Sequence, residues 1–451
     1  MSQHFKPVDR DTSFFLPPSV QDWLPEGHLA RFVVDVVQKI NTRSLENAYA
    51  GRGSKAYHPD MLLALLFYGY ATGKFSSRKL ELATYESVAV RFICANTHPD
   101  HDTISYFRKR FFNDLTPLFV QILQLAHELG LLKLGEISLD GTKVKANASK
   151  HKAMSWKRAN QLEKQLKREV NELMRRAEAA DNSDKSEHLD IPEELKLRQD
   201  RLQAIEVAKE KIKARAHERY KLEKAEYDEK IKARQEKQQR TGKKPGGKPP
   251  PQPMDEPQDK DQINFTDEES RIMPTSGGGF DQTYNAQIAV DMDSYLIVHN
   301  HLTQHTNDKQ EIKPFLKAAQ QLPQELGRIE DLAADAGYFS NDNVESCYKE
   351  IVRPSISHRR NAHHKALEDR FDEPDLSPGL NALTTMMNRM QTKEGKAFYA
   401  RRKSTVETVI GIIKAILGFR QFSVRGLSNT SGEWDLVCIA FNIKRLHALT
   451  A

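Results

Sequence analysis

Apolar residues recur along this chain at one of two periods, every three to four positions or every second one, and the changes between them divide it into blocks. Leu29, Phe32, Val33 and Val36 share one face of a helix that follows an irregular Phe14-Phe15-Leu16-Pro17-Pro18 segment. Pro59-Asp60 opens a second helix, apolar from Met61 to Ala71, and Gly73 closes it. A third spans Ser76 to Tyr85. A fourth runs from Asp102 to Phe111, capped by Asp100 or Asp102. It turns Ile104, Phe107 and Phe111 inward and leaves Ser105, Arg108, Lys109 and Arg110 outside. Helix, turn and a basic helix with an apolar spine have the form of a helix-turn-helix near 76–112. An all-helical packing or dimerisation domain with a solvated basic face has the same pattern.

At Gly135 the period becomes two, with Ile137 and Leu139 on one side of a strand that ends at Asp140. Asp140-Gly141 is equally the dipeptide of a hairpin turn. From about 150 to 240 the composition shifts to Lys, Arg, Glu, Gln and Ala. Leu162, Leu166, Val170 and Leu173 form one seam, and Leu195, Leu202, Ile205 and Ile212 form another beyond a break at Asp181-Asn182-Ser183-Asp184 and Pro192. Two helices with narrow apolar stripes predict an antiparallel coiled-coil hairpin. Both signs of charge interleave along it, which favours a solvated face over a DNA groove. A flexible linker is expected over 241–267, where Gly and Pro accumulate. Its Lys248 precedes no Ser or Thr, so it is not a nucleotide phosphate loop.

Ala286, Ile288 and Val290 alternate with Asn285, Gln287 and Ala289; after Asp293-Ser294 a second strand, Tyr295 to Leu302, completes a β-hairpin. A helix follows around Ile312 to Leu322. Leu332-Ala333-Ala334-Asp335 reads as a short buried strand ending in an acid, although Asp335 also suits a helix cap and Gly337 a turn. The segment His358 to Lys365 is locally basic and lacks zinc-site partners. Val406, Val409, Ile410 and Ile413 line one face of another helix, from which Glu407 and Lys414 project two turns apart. Ser404-Thr405-Val406-Glu407 also has the form of a capping box. Arg420 and Arg425 stand beside aromatics, and Trp434 to Leu446 is apolar enough for a core helix. Three separated acids, Asp140, Asp335 and Glu407, are what a divalent-metal phosphoryl-transfer site needs.

Size and charge narrow the picture. With 451 residues, two or three domains are expected, and 29% charged residues concentrate in the middle block. A net charge of +6 permits nucleic acid without demanding it. Cys94, Cys347 and Cys438 are odd in number and lack metal spacing, which fits a reducing cytosol without disulfides or structural zinc. No apolar run is long enough to span a bilayer, and the first residues lack a signal-peptide core, so a soluble cytoplasmic protein is expected.

The order strand-Asp140, helical block, β-hairpin, strand-Asp335, helix-Glu407 resembles the DDE transposases of bacterial insertion sequences, and within the IS4/IS5-like class the IS1182 group. The residues that carry the likeness are Leu139-Asp140-Gly141-Thr142-Lys143, Phe280-Asp281-Gln282-Thr283-Tyr284-Asn285-Ala286-Gln287, Ala334-Asp335-Ala336-Gly337-Tyr338, Arg402 to Lys414 and Gly418 to Gly426. The class carries a Tyr-Arg-Glu-Lys signature with gaps of two, three and six residues. Here Tyr399 and Arg402 keep the first gap and Glu407 and Lys414 the last, while four residues separate Arg402 from Glu407.

The resemblance implies a mixed α/β fold with an RNase H-like core, a mixed sheet flanked by helices, at 133–149 and 268–451. It further implies an N-terminal all-helical DNA-binding domain at 1–132 and a helical insertion at 150–240. Asp140, Asp335 and Glu407 are then the catalytic metal ligands for two Mg²⁺ ions, with Mn²⁺ as a substitute. Lys414, Arg402 and Tyr399, with Arg420, Arg425, Arg108 and Lys109 further out, are the DNA contacts. The implied substrates are double-stranded DNA at the transposon's terminal inverted repeats and at the target, handled by a homodimer at the bacterial nucleoid. The alternatives are an RNase H-like nuclease without strand transfer and a domesticated, non-catalytic DNA-binding regulator.

Overall fold

The computed structural model describes residues 19–49, 56–149, 152–181, 191–242, 249–275, 278–358, 377 and 379–451. The expected irregular segment at 14–18, the break at 182–184, the Gly-Lys stretch at 243–248 and the basic residues 359–365 lie outside them. The chain divides into two compact units, Met1–Asn147 with Ile272–Ala451, and Ala148–Arg271.

The first unit opens with helices α1 (Val20–Trp23), α2 (Leu29–Lys39), α3 (Arg43–Asn47), α4 (Pro59–Ala71), α5 (Ser77–Glu86), α6 (Val88–Ile93), α7 (His101–Arg110) and α8 (Leu115–Glu128). α4 begins where Pro59 needs no N–H partner and His58 Nδ1 accepts from Asp60 N at 3.2 Å. It is buried on every side, as a helix that is apolar all round must be. It stops at Gly73, whose φ is +76°, and a Cβ there would lie 2.7 Å from the Leu417 carbonyl. α7 is capped by Asp100, which accepts from Thr103 N at 2.6 Å, rather than by Asp102.

Arg108 is a correction to the expected outer basic face of α7: it is only 7% exposed. Its Nη1 donates to the Tyr70 hydroxyl at 3.0 Å and to the Phe75 carbonyl at 2.8 Å. Tyr70 in turn donates at 2.8 Å to Glu433, which is fully buried and also accepts from Ser423 N at 2.8 Å. Arg108 is therefore the cation of a buried network joining α4, α7 and the last helix, and is removed from the candidate DNA contacts. Lys109 and Arg110 remain exposed, the latter with its guanidinium 4.9 Å from the Tyr49 ring.

Strand β1 (Leu134–Lys145) follows, and the second unit begins three residues later. It contains β2 (Ala153–Ser155), α9 (Trp156–Asp181), α10 (Ile191–Thr241) and β3 (Gln262–Asn264). α9 and α10 pack as the expected antiparallel hairpin. Leu166, Ala159 and Ile205 form its core, and Arg198–Glu169 at 2.8 Å and Lys209–Glu163 at 2.6 Å cross it in opposite order. The expected linker departs from expectation over 249–267. β3 pairs antiparallel with β2, and Asp261 holds Arg219 at 2.8 Å, so this stretch is folded back along α10. Its anchors are distant in sequence, which is why local Pro and Gly content misread it.

Back in the first unit come β4 (Arg271–Pro274), β5 (Phe280–Asp291), β6 (Ile297–Thr303), α11 (Ile312–Ala319), β7 (Gly327–Ala334), α12 (Asn341–Lys349), β8 (Arg353–Ile356), α13 (Ala382–Arg389), α14 (Lys393–Gly411) and α15 (Leu427–Thr450). The main sheet has the order β6-β5-β1-β7-β8, and β4 also joins β5. β5 is antiparallel to β1 and β6, while β7 is parallel to β1 and β8 to β7. The hairpin read from alternation is β5–β6, but β5 is buried on both faces, Asn285 and Gln287 included. α15 packs under β6, where Asn442 accepts from Ile297 N and donates to its carbonyl, both at 2.8 Å.

Removing one partner of a buried charge network leaves the other uncompensated. Arg108→Met is expected to cost about 3–5 kcal/mol in urea unfolding; an unchanged midpoint would return Arg108 to the surface.

Candidate active site

Backbone pairing alone brings two of the three acids together. Leu139 of β1 stands opposite Ala334 of β7 in parallel register. Asp140 therefore comes next on β1 and Asp335 just past the end of β7, beside strands about 4.8 Å apart. β1 does not stop at Asp140: it continues through Gly141 to Lys145, so Asp140-Gly141 is no turn. Gly141 is needed for a different reason, since a Cβ there would fall on Gln287 Nε2 and lie 2.7 Å from Asp308 Oδ1. β7 does end at Ala334, and Asp335 Oδ1 accepts from Gly337 N at 2.8 Å, capping a short 3₁₀ turn. The cap suggested by the sequence is real and engages one of its oxygens.

Glu407 comes from α14. That helix starts at Lys393, where the Thr392 side chain accepts from Gly395 N at 2.9 Å, so Ser404 to Glu407 is not a capping box. Buried Val406, Val409 and Ile413 set the orientation of the helix and leave Glu407 exposed. Arg402, one helical face round, is buried and joins two of the acids: Nη1 lies 3.3 Å from Asp140 Oδ2 and Nη2 2.8 Å from Glu407 Oε1. The Tyr399 ring lies 5.9 Å from its guanidinium. Among the described residues, only exposed or half-buried Glu46, His58 and Asp60 bring three candidate ligand atoms within 4.8 Å of one another. The three acids are thus more widely set, with Arg402 between Asp140 and Glu407.

Burial pushes the Asp140 carboxyl up to about 7; Arg402 opposes this, and Asp335 and Glu407 add to it. One guanidinium shared with Glu407 does not offset burial plus two neighbouring acids. Lys414 sits in a π-helical stretch, Ile412–Ile416, of a kind that recurs at functional sites. Its Nζ donates to Thr142 Oγ1 at 2.6 Å and to the Lys143 carbonyl at 2.9 Å, so it lies against β1 just past Asp140. Burial, then Arg420 and Lys143, hold its pKa below the usual lysine value. Arg420 and Arg425 are exposed, each donating Nε to a carbonyl at 2.9 Å, of Lys414 and Asn147 respectively. Lys109 belongs to the helical region, on α7, rather than to this cluster.

A fourth acid escaped sequence reading. Asp308 Oδ1 accepts from Asn285 Nδ2 at 2.6 Å and Gln287 Nε2 at 2.7 Å, and Lys143 Nζ lies 3.4 Å away. The signal available was the pair of amides on an otherwise apolar strand: polar β5 residues buried at the sheet centre must have partners.

Two family models match the chain, one described as Transposase domain (DUF772) over residues 18–110 and one as Transposase DDE domain over 252–443. This chain is a DDE transposase of the IS1182-like type. Comparisons with curated proteins and with solved structures return no match. Asp335 and Glu407 lie within the second matched segment, and Asp140 precedes it. As a transposase the protein acts on DNA, and the family generally uses divalent metal ions. The residues suit such ions: three carboxylates offer hard oxygen donors, Asp140 resists ionisation where it stands, and an arginine already supplies positive charge between two of them. No helix among the described residues is long and apolar enough to cross a membrane.

The raised Asp140 pKa makes the transposase less stable as pH rises. An unfolded Asp titrates near 3.8 and the folded one near 7, so this loss is absent below about 4, grows towards 7 and is constant above. It amounts to on the order of 4 kcal/mol. Without divalent metal, Asp140→Asn should therefore melt above the wild type at pH 8 and level with it at pH 4. Parallel melting curves across that range would contradict it.

Proposed function

We propose that this transposase cuts DNA at transposon ends and joins the freed ends to target DNA, using two Mg²⁺ ions, or Mn²⁺, held by Asp140, Asp335 and Glu407. The reading is carried chiefly by the β1–β7 register, which puts Asp140 beside Asp335. The strand order β6-β5-β1-β7-β8, three antiparallel strands followed by two parallel ones, supports an RNase H-like core. On this reading the helices up to α8 bind DNA ends, with Lys109 on their exposed side, and two copies hold a pair of ends.

Phosphodiester exchange gathers negative charge in line, so stabilisation is mostly electrostatic. Bound magnesium would activate the attacking oxygen and stabilise the leaving one. Lys414, fixed on β1, and Arg402, with Tyr399 beneath it, would hold the DNA backbone next to the three acids. Arg420 and Arg425 extend that positive edge. Water attacks first and frees a 3′-hydroxyl, which then attacks the target; no covalent link to the protein is needed.

Asp140→Asn, Asp335→Asn and Glu407→Gln should each lower Mg²⁺-dependent cleavage of end-containing DNA about a thousandfold while end binding persists. Cleavage near the wild-type rate by a folded single variant removes that acid from the site. Precut ends that bind but never join would favour a nuclease instead.

A further inference from the structure

Asp308 belongs to the loop between β6 and α11, 165 residues beyond Lys143, the ammonium it faces. Its surroundings are unusual for a loop acid. One oxygen takes hydrogen bonds from two buried amides, Asn285 and Gln287, and Gln287 Nε2 also donates to Asn285 Oδ1 at 3.1 Å. Gln287 Oε1 in turn accepts from the buried Tyr338 hydroxyl, in the turn that follows Asp335. The loop is tied to that turn a second time: Asn343 Nδ2 donates to both the Lys309 and Tyr338 carbonyls at 2.7 Å. A third restraint comes from Glu311, whose nearly buried carboxylate holds His301 at 2.6 Å and His305 at 2.7 Å.

The two glycines near the site aspartates locate Asp308 between them. A Cβ on Gly141 would lie 2.7 Å from Asp308 Oδ1. One on Gly337 would lie 3.5 Å from Asp308 Oδ2 and 3.0 Å from Asp335 Oδ1. The carboxylate thus lies between the two, one oxygen in the space a Gly141 side chain would take and the other at contact distance from the Asp335 turn.

We propose that Asp308 is a positioning residue for the transposase reaction, bracing the Asp140 and Asp335 backbones at the separation their shared cations require. The inference rests on the metal-binding reading of those acids. Outer carboxylates that orient ligands typically change metal affinity or activity 10- to 100-fold when removed. Asparagine keeps an oxygen for Asn285 and Gln287, so it should restore much of what alanine loses.

The test is a Mn²⁺ titration read as melting temperature on the full chain, alongside cleavage. Wild type should be stabilised by Mn²⁺ and Asp140→Asn should not. Asp308→Ala should need about 10- to 100-fold more Mn²⁺ for half the effect, and Asp308→Asn clearly less than alanine does. A responsive wild type with an unshifted Asp308→Ala midpoint overturns this inference alone, as do equal shifts for alanine and asparagine. A wild type indifferent to Mn²⁺ removes the metal-binding reading and this inference with it. Should Asp308→Ala fail to fold, Asn285→Ser removes one donor and leaves the acid: a raised midpoint supports the role, an unchanged one overturns it.

Discussion

Like charges repel, yet the hydrogen-bond ladder between β1 and β7 ends with Leu139 opposite Ala334 and so delivers the next residue of each, Asp140 and Asp335, side by side. Side chains alone could not enforce this, because a free carboxylate would swing away into water. The backbone can, since Ile137 to Leu139 of β1 and Leu332 to Ala334 of β7 are paired residue for residue and buried at every position, so a slip of either strand would disrupt packing on both faces of the sheet. The apolar register of the sheet therefore sets the electrostatics of the site. Arg402 lies against Asp140 and Glu407 together and opposes part of this cost, while burial still holds the Asp140 carboxyl up at about 7.

Support for that sheet comes from the C-terminal helix. α15 carries Trp434, whose indole N–H reaches the Gln287 carbonyl at 3.4 Å, and Asn442, which binds the edge of β6. It also carries Glu433, the acceptor for Tyr70 and Ser423. Through these contacts the strand that presents Asn285 and Gln287 is fixed to the interior helix α4. Two adjacent residues of one helix, Glu433 and Trp434, thus tie the N-terminal helix α4 and the strand β5 to the same element.

What could be read from the sequence was whatever local spacing determines. The apolar run of α4, the β5–β6 alternation, the seams of α9 and α10, and the stripe Val406-Val409-Ile413 all emerge as elements close to where they were expected. The failures share a cause. Arg108 looks like any outward basic residue because its partners, Tyr70 and Glu433, are 38 and 325 positions away. Residues 249–267 look like linker because Arg219 and the β2 strand that order them are far upstream. The short α6 was missed between two helices that were seen. Asp308 carries no local signal, because the amides that donate to it stand 23 and 21 positions upstream. Asp140-Gly141 suits a turn in any local scale, and only the crowding by Gln287 and Asp308 explains the glycine in a continuous strand.

The second unit interrupts what is otherwise an antiparallel strand pair: Lys145 at the end of β1 meets Thr283 of β5 across the whole insertion. Closing a loop of that length by random search is slow and entropically costly. Within the insertion, however, β2 and β3 pair near its two ends. If that unit forms first, as it emerges during synthesis, its ends are already gathered and the strands on either side behave like a short hairpin. The saving in loop-closure entropy is about 2 kcal/mol. The helical hairpin would then act as an internal folding aid, converting the β1–β5 pairing, interrupted in sequence by a whole folded unit, into a nearly local one.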